Sequence, residues 1–280
     1  MKTWFITGAS RGFGLLIAKV ALARGDNVIA TARQPQSIIT ALDNHPSVLA
    51  LPLDVTDEAA AFSAVDQAIA RFGRIDVLVN NAGYGLLGAV EEATADEVRR
   101  IYETNVFGLL NVTRAVLPAM RDQGSGHVIN ISSIGGYQAY QGWGVYGSTK
   151  FAVEGITEAL AQELQPLGIQ ATVVEPGFFR TDFLDASSLS TSAEIPDYAG
   201  TVGAMRRFAA DANHQQPGDP MKLACAVLML ADAPQPPLRL ALGSDTVARL
   251  RSKNASVERE LGAWMHVSLS TDVEAAAEAA

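Results

Sequence analysis

Residues 3–14 read TWFITGASRGFG. Thr3 to Ile6 favour an extended strand, and Gly8, Gly12 and Gly14 follow with the spacing G-x3-G-x-G. An apolar helical pattern then runs from Gly12 to Arg24. Strand, glycine turn and helix in that order open a βαβ unit. Glycines let the chain turn sharply and let an anion approach the helix N-terminus, where free N–H groups and the helix dipole favour negative charge. The stretch Thr7, Gly8, Ser10, Arg11, Gly12, Phe13 and Gly14 is therefore read as the seat of a dinucleotide pyrophosphate, with a plain tight turn as the alternative.

The same alternation continues downstream. Strands are expected at Lys2–Ile6, Asn27–Thr31, Val48–Leu53, Ile75–Val79, His127–Ile131, Ile169–Glu175 and Leu238–Leu242. Several are apolar on both faces, as strands of a buried parallel sheet are. Helical patterns fall between them at Gly12–Arg24, Asp57–Phe72, Ala95–Arg121, Tyr146–Leu167 and Met221–Ala231. This predicts an α/β fold with helices on both faces of a parallel sheet. Residues 1–245 form the expected domain. Residues 182–220, rich in Ser, Thr, Ala and Asp, are read as an inserted lid or as a polar surface loop. Residues 246–280 form a C-terminal extension, expected to fray or lose order after Ser270.

Composition narrows the function classes. The 280 residues are 48% hydrophobic, enough for a large core, and 21 basic against 30 acidic residues leave a net charge of −9. An acidic chain without a basic stripe is a poor nucleic-acid partner. The longest apolar run, Leu223 to Ala231, has nine residues, whereas a membrane helix needs about 20. No leader pattern is read at the start, so a cytoplasmic enzyme is expected. Cys225 is expected as a core side chain. His45, His127, His214 and His266 lack ligand spacing, so no metal site is expected.

The strand ends suggest more of the ligand. Thr31-Ala32-Arg33 closes the second strand, where an acidic residue would hold a ribose 2′-hydroxyl. An arginine there pairs with a 2′-phosphate instead, and Arg11 at a helix start is easier to understand beside a bound anion. The pair argues for NADP(H) over NAD(H). Asp54 and Val55 would meet the adenine, unless Asp54 or Thr56 caps the next helix. Asn81, Ala82 and Gly83 would let a cofactor lie against the chain, unless they form an ordinary turn.

Three residues suggest chemistry. Tyr146 and Lys150 are spaced i, i+4 and share a helix face, and Ser133 lies just past the fifth strand. A lysine ammonium near a phenol lowers its pKa, and a serine hydroxyl can bond a substrate oxygen as charge develops on it. Around the site, Tyr137 to Phe183 contain eight aromatics in 47 residues. Tyr84, Tyr140, Trp143, Phe178, Phe179 and Phe183 are read as an aromatic pocket for a bulky carbonyl, or as packing against helices or a second subunit.

With these motifs in view, the chain resembles the short-chain dehydrogenase/reductase family. The resemblance rests on T-G-x3-G-x-G, N-N-A-G, Asn105 in E-T-N-V-F-G, I-S-S, Y-G-S-T-K and P-G-F-F-R-T. It implies a Rossmann-type doubly wound sheet of seven parallel strands. It implies that Tyr146 is the acid–base residue, that Lys150 tunes it and bonds the nicotinamide ribose, and that Ser133 orients the carbonyl. It also implies a water-holding role for Asn105, and places Pro176, Gly177 and Thr181 beside the nicotinamide. The chain departs from the family pattern at Leu242-Gly243-Ser244-Asp245, which favours a homodimer or monomer over a tetramer. The resulting expectation is an NADP(H)-dependent carbonyl reductase, with an NAD-linked alcohol dehydrogenase or a non-catalytic NADP(H) sensor as alternatives.

Overall fold

The computed structural model describes residues 1–273. The chain runs β1 (Thr3–Thr7), α1 (Gly12–Ala23), β2 (Asn27–Ala32), α2 (Gln36–Ala41), β3 (Val48–Pro52), α3 (Glu58–Phe72), β4 (Val77–Asn80) and β5 (Gly85–Leu87). It continues with α4 (Ala95–Tyr102), α5 (Gly108–Gln123), β6 (Gly126–Ile131), α6 (Gly144–Leu164), β7 (Ile169–Pro176) and β8 (Leu189–Thr191). It closes with α7 (Val202–Ala212), α8 (Pro220–Asp232), β9 (Arg239–Leu242) and α9 (Ser244–Leu269).

Seven strands form one sheet in the order β3-β2-β1-β4-β6-β7-β9, and every pairing is parallel. All seven expected strands are present, with small shifts at their ends. The fold is the expected doubly wound, Rossmann-like sheet. Alternation along β1 shows why both faces carry a core. Trp4 and Ile6 pack with Ile17, Val28 and Leu223 on the side of α1 and α8. Phe5 packs with Ile29, Val65, Val112 and Met120 on the side of α3 and α5. The order reverses between β1 and β4, so a crevice opens at the carboxyl ends of those strands, where ligands bind in such sheets.

Several elements differ from the sequence reading. Residues 182–220 are not structureless: β8 pairs with β5, and α7 follows. The long helix expected at Ala95–Arg121 is broken by a π-helical turn at Glu103–Phe107. The expected boundary at 245/246 falls inside the first turn of α9, which is one helix to Leu269. Of the tail after Ser270, residues 274–280 lie outside the described residues. Cys225 is exposed, not in the core. Among the described residues, no helix is long and apolar enough to cross a membrane.

Candidate active site

The glycine turn is stitched to the end of β4. Thr7 Oγ1 accepts from the backbone N–H groups of Asn81 and Ala82, at 3.0 Å each. Asn81 Nδ2 donates to the carbonyls of Thr7 at 2.9 Å and Gly8 at 3.1 Å. Gly8 and Gly12 take left-handed φ angles of 64° and 55°, which side chains disfavour. At Gly14 a Cβ would come within 2.6 Å of Asn81 Nδ2 and the Gly8 carbonyl, so only hydrogen fits there. Thr7 and Gly14 thus shape the turn from behind, while Gly8, Ser10, Arg11, Gly12 and Phe13 line the cleft. Helix α1 begins with no side-chain cap and no acidic residue in its first turn. Its N–H groups suit an anion, which is the donor set a pyrophosphate needs.

Farther along the cleft, Arg33 is exposed and has no carboxylate partner among the described residues. Asp54 lines the cleft and accepts from Thr56 N at 3.0 Å and Thr56 Oγ1 at 2.8 Å. The helix-capping alternative for Asp54 or Thr56 is overturned, because Asp57 caps α3 through Ala60 N. Arg11 lines the cleft and is also bonded across it. Its guanidinium donates to Ser187 Oγ and to Ser187 O, each at 2.6 Å.

Tyr146 and Lys150 share one face of α6, and both line the cleft with Ser133. Lys150 Nζ donates to the Ile131 carbonyl at 2.8 Å and lies 5.9 Å from the Tyr146 ring centre. Burial pushes the Tyr146 phenol up to about 12, against the opposing hydrogen bond from Ser133. Burial also pulls Lys150 down to about 8, with the Glu154 carboxylate opposing. The expected depression of the tyrosine by its lysine is therefore not what dominates here. Loss of solvation does.

Asn105 sits in the π-helical turn and is 2% exposed. It accepts from Tyr84 N at 3.1 Å and donates to Tyr84 O at 3.0 Å and Thr149 Oγ1 at 3.2 Å. It stands behind the cleft wall and braces Tyr84. A Cβ at Gly83 would lie 3.0 Å from Asn105 Oδ1 and 3.8 Å from Lys150 Nζ, so Gly83 keeps that space open.

The cleft holds about 980 Å³ and reaches from the glycine turn past Val55 and Ala82 to an aromatic end. Trp143, Tyr146 and Phe183 form one group, with ring centres 5.6 to 6.5 Å apart. Tyr84, Tyr140, Phe178 and Phe179 also line it. Phe179 packs edge-on against Phe13 at 5.6 Å, which joins the two ends. Tyr137 turns away and bonds Asn254 of α9, and Phe151 is on the surface. Pro176, Gly177 and Thr181 line the far wall. Phe178 N donates to Asp245 Oδ2 at 2.9 Å, which ties that wall to the start of α9.

Sequence reasoning missed Leu184, Leu189, Met205, Phe208 and Arg249, which line the aromatic end. Met205 and Phe208 stand three apart on α7. That helical spacing was the available signal within a segment read as loop.

The family model described as short chain dehydrogenase matches residues 2–191. The chain belongs to the short-chain dehydrogenase family. A short-chain dehydrogenase from Streptomyces avermitilis is 45% identical, with a TM-score of 0.90 over 97% of this chain and 100% of that one. A 3-ketodihydrosphingosine reductase from Bacteroides thetaiotaomicron is 40% identical over 85% of this chain and 86% of its own length. A serine dehydrogenase complexed with NADP+ has a TM-score of 0.73 and 28% identity, covering 86% and 94% of the two chains. Short-chain dehydrogenases are oxidoreductases that use nicotinamide cofactors. The glycine turn, the uncapped start of α1 and the long cleft fit such a cofactor.

Proposed function

We propose that this short-chain dehydrogenase is an NADP(H)-dependent carbonyl reductase that also oxidises secondary alcohols. The observation that carries the reading is the convergence of Tyr146, Ser133 and Lys150 on one cleft with the glycine turn. Arg33, free of carboxylates among the described residues, supports the 2′-phosphate form. Gly8 to Phe13 would hold the pyrophosphate, Asp54 and Val55 the adenine, Asn81 to Gly83 the adenosine side, and Pro176, Gly177 and Thr181 the nicotinamide.

When held there, a nicotinamide would supply the hydride for carbonyl reduction or accept it in alcohol oxidation. Ser133 donates a hydrogen bond to the substrate oxygen, and Tyr146 gives that oxygen a proton. A phenol held near 12 is protonated throughout the neutral range, so the resting state is the one reduction needs. Lys150 then stabilises the phenolate as it forms. Oxidation must start from that phenolate, which burial penalises. Alcohol oxidation should therefore gain rate as pH rises.

The aromatic end suits a bulky or ring-bearing carbonyl, and the Bacteroides relative is named for a keto substrate. Residues 182–220, joined to the body by the β5–β8 pair, would act as a lid over a domain spanning residues 1–245. A cytoplasmic homodimer completes the reading. A panel of aryl and aliphatic ketones, assayed with NADPH and with NADH, tests it. Turnover of bulky ketones with NADPH is expected. Coenzyme binding without turnover of any carbonyl or alcohol would leave a sensor in its place.

A further inference from the structure

Beneath the cleft lies a buried acidic cluster that the mechanism above does not use. Helix α6 carries Tyr146, Lys150 and Glu154 at successive four-residue steps, so Glu154 stands one turn below the lysine. Glu175 is the penultimate residue of β7, immediately before Pro176, with Gly177 just past the strand. The two carboxyl side chains are only 7% and 0% exposed. Glu154 Oε1 and both Glu175 oxygens lack a hydrogen-bond partner of ordinary geometry.

Arg239 of β9 reaches between them. Its Nε lies 3.2 Å from Glu154 Oε2 and 3.7 Å from Glu175 Oε1, and its Nη2 lies 3.0 Å from Glu158 Oε2. Ser132, next to Ser133, faces Glu154 from the β6 side, its hydroxyl without a hydrogen-bond partner of ordinary geometry. The charged groups facing Glu154 are thus Lys150 and Glu158 on its own helix, Glu175 on β7 and Arg239 on β9.

Two adjacent buried carboxylates with one nearby guanidinium cannot both stay ionised. A pair so placed favours one shared proton and one negative charge over two. Burial, with Glu154 close by, pushes Glu175 up to about 7, and burial pushes Glu154 up as well. A single charge left on Glu154 lies one helical turn from the buried ammonium of Lys150. It is the group that opposes the lysine's loss of solvation.

We infer that Glu154 and Glu175 are positioning residues: the buried carboxyl pair, clamped by Arg239, supplies the counter-charge that keeps Lys150 an ammonium beneath Tyr146. This rests on the carbonyl-reductase reading. Glu175 precedes Pro176 in β7, so the same pair borders the cleft wall formed by Pro176 and Gly177.

The test is a pH profile of ketone turnover in the full-length protein, comparing the wild type with Glu154→Gln. Loss of the counter-charge should move the alkaline limb of kcat to lower pH by about half a unit or more. The coenzyme KM below the limb should hold within about twofold. A uniform fall in kcat with the limb unmoved overturns the inference, since loosened packing alone would give that. A wild type inactive on every carbonyl instead overturns the functional reading on which the inference rests. If Glu154→Gln does not fold, difference infrared spectroscopy decides. A protonated-carboxyl band near neutral pH that is lost in Glu175→Gln supports the pair, and no such band in the wild type overturns it.

Discussion

Arg11 and Ser187 join the two lips of the cleft. Both guanidinium Nη atoms bond the serine, one to Oγ and one to the carbonyl, across 176 positions of sequence. The glycine turn is thereby tied to the segment between β7 and β8. These are exposed hydrogen bonds, each worth about 1 kcal/mol or less. A bound anion at the turn would compete for the same guanidinium. Arg11→Ala should therefore loosen the segment, with chymotryptic cleavage after Phe183 rising by about three- to tenfold in the absence of coenzyme. NADPH should protect the wild type from this cleavage more than the variant. Cleavage equal in the two proteins would mean that Arg11 does not hold the lid.

Tyr146 tests the acid–base assignment. Its hydroxyl has no other role evident in the cleft, and its ring packs against Trp143 and Phe183. Tyr146→Phe keeps that packing and removes the proton donor. Ketone turnover should fall by about a thousandfold or more, while the NADPH Kd, read by fluorescence titration, should stay within about threefold. Substantial residual turnover would return the proton to another group.

Arg33 tests the coenzyme. An exposed guanidinium pairing with a 2′-phosphate makes charge-assisted hydrogen bonds of about 1.5–3 kcal/mol. Arg33→Asp should lower kcat/KM for NADPH by about 10- to 100-fold. It should raise kcat/KM for NADH, because a carboxylate can accept from the ribose 2′-hydroxyl. An unaltered ratio of the two would put the selectivity elsewhere, with Arg11 the next residue to change.

The seven strands were legible because runs such as TWFIT and HVINI are apolar on both faces and end at glycine or serine turns. Tyr146 and Lys150 were legible because four-residue spacing puts both on one helix face, and Ser133 because it directly follows a strand. The missed features depend on partners far away in sequence. Gly85 pairs with Leu189, so β5 and β8 exist only through each other. The π-helical turn at Asn105 goes with an amide bonded to both backbone groups of Tyr84, which no local helix pattern encodes. Arg11 shows no sign in the sequence of its bonds to Ser187, which lies 176 positions away. Cys225 looks apolar in its run, but α8 buries only the face carrying Leu223, Ala224, Val227, Leu230 and Ala231.

Lys150 links stability to function. Its folded pKa of about 8 lies below the ordinary 10.5, chiefly because burial disfavours the charge. The unfolded chain therefore binds more protons than the folded one between about pH 8 and 10.5. Below that window the buried ammonium costs the fold its full penalty, and as pH rises through it the penalty disappears. At about 1.4 kcal/mol per unit the penalty is about 3 kcal/mol. Lys150→Met removes this pH-dependent term, and also leaves the Ile131 carbonyl without its donor and Glu154 without its facing cation. The wild type should therefore gain about 3 kcal/mol of stability relative to the variant between pH 7 and pH 10, while the variant loses almost all turnover. Urea midpoints near pH 7 and pH 10 check this. The difference, wild type minus variant, should grow from the lower pH to the higher. A difference that does not change with pH would show that burial of the charge does not govern Lys150.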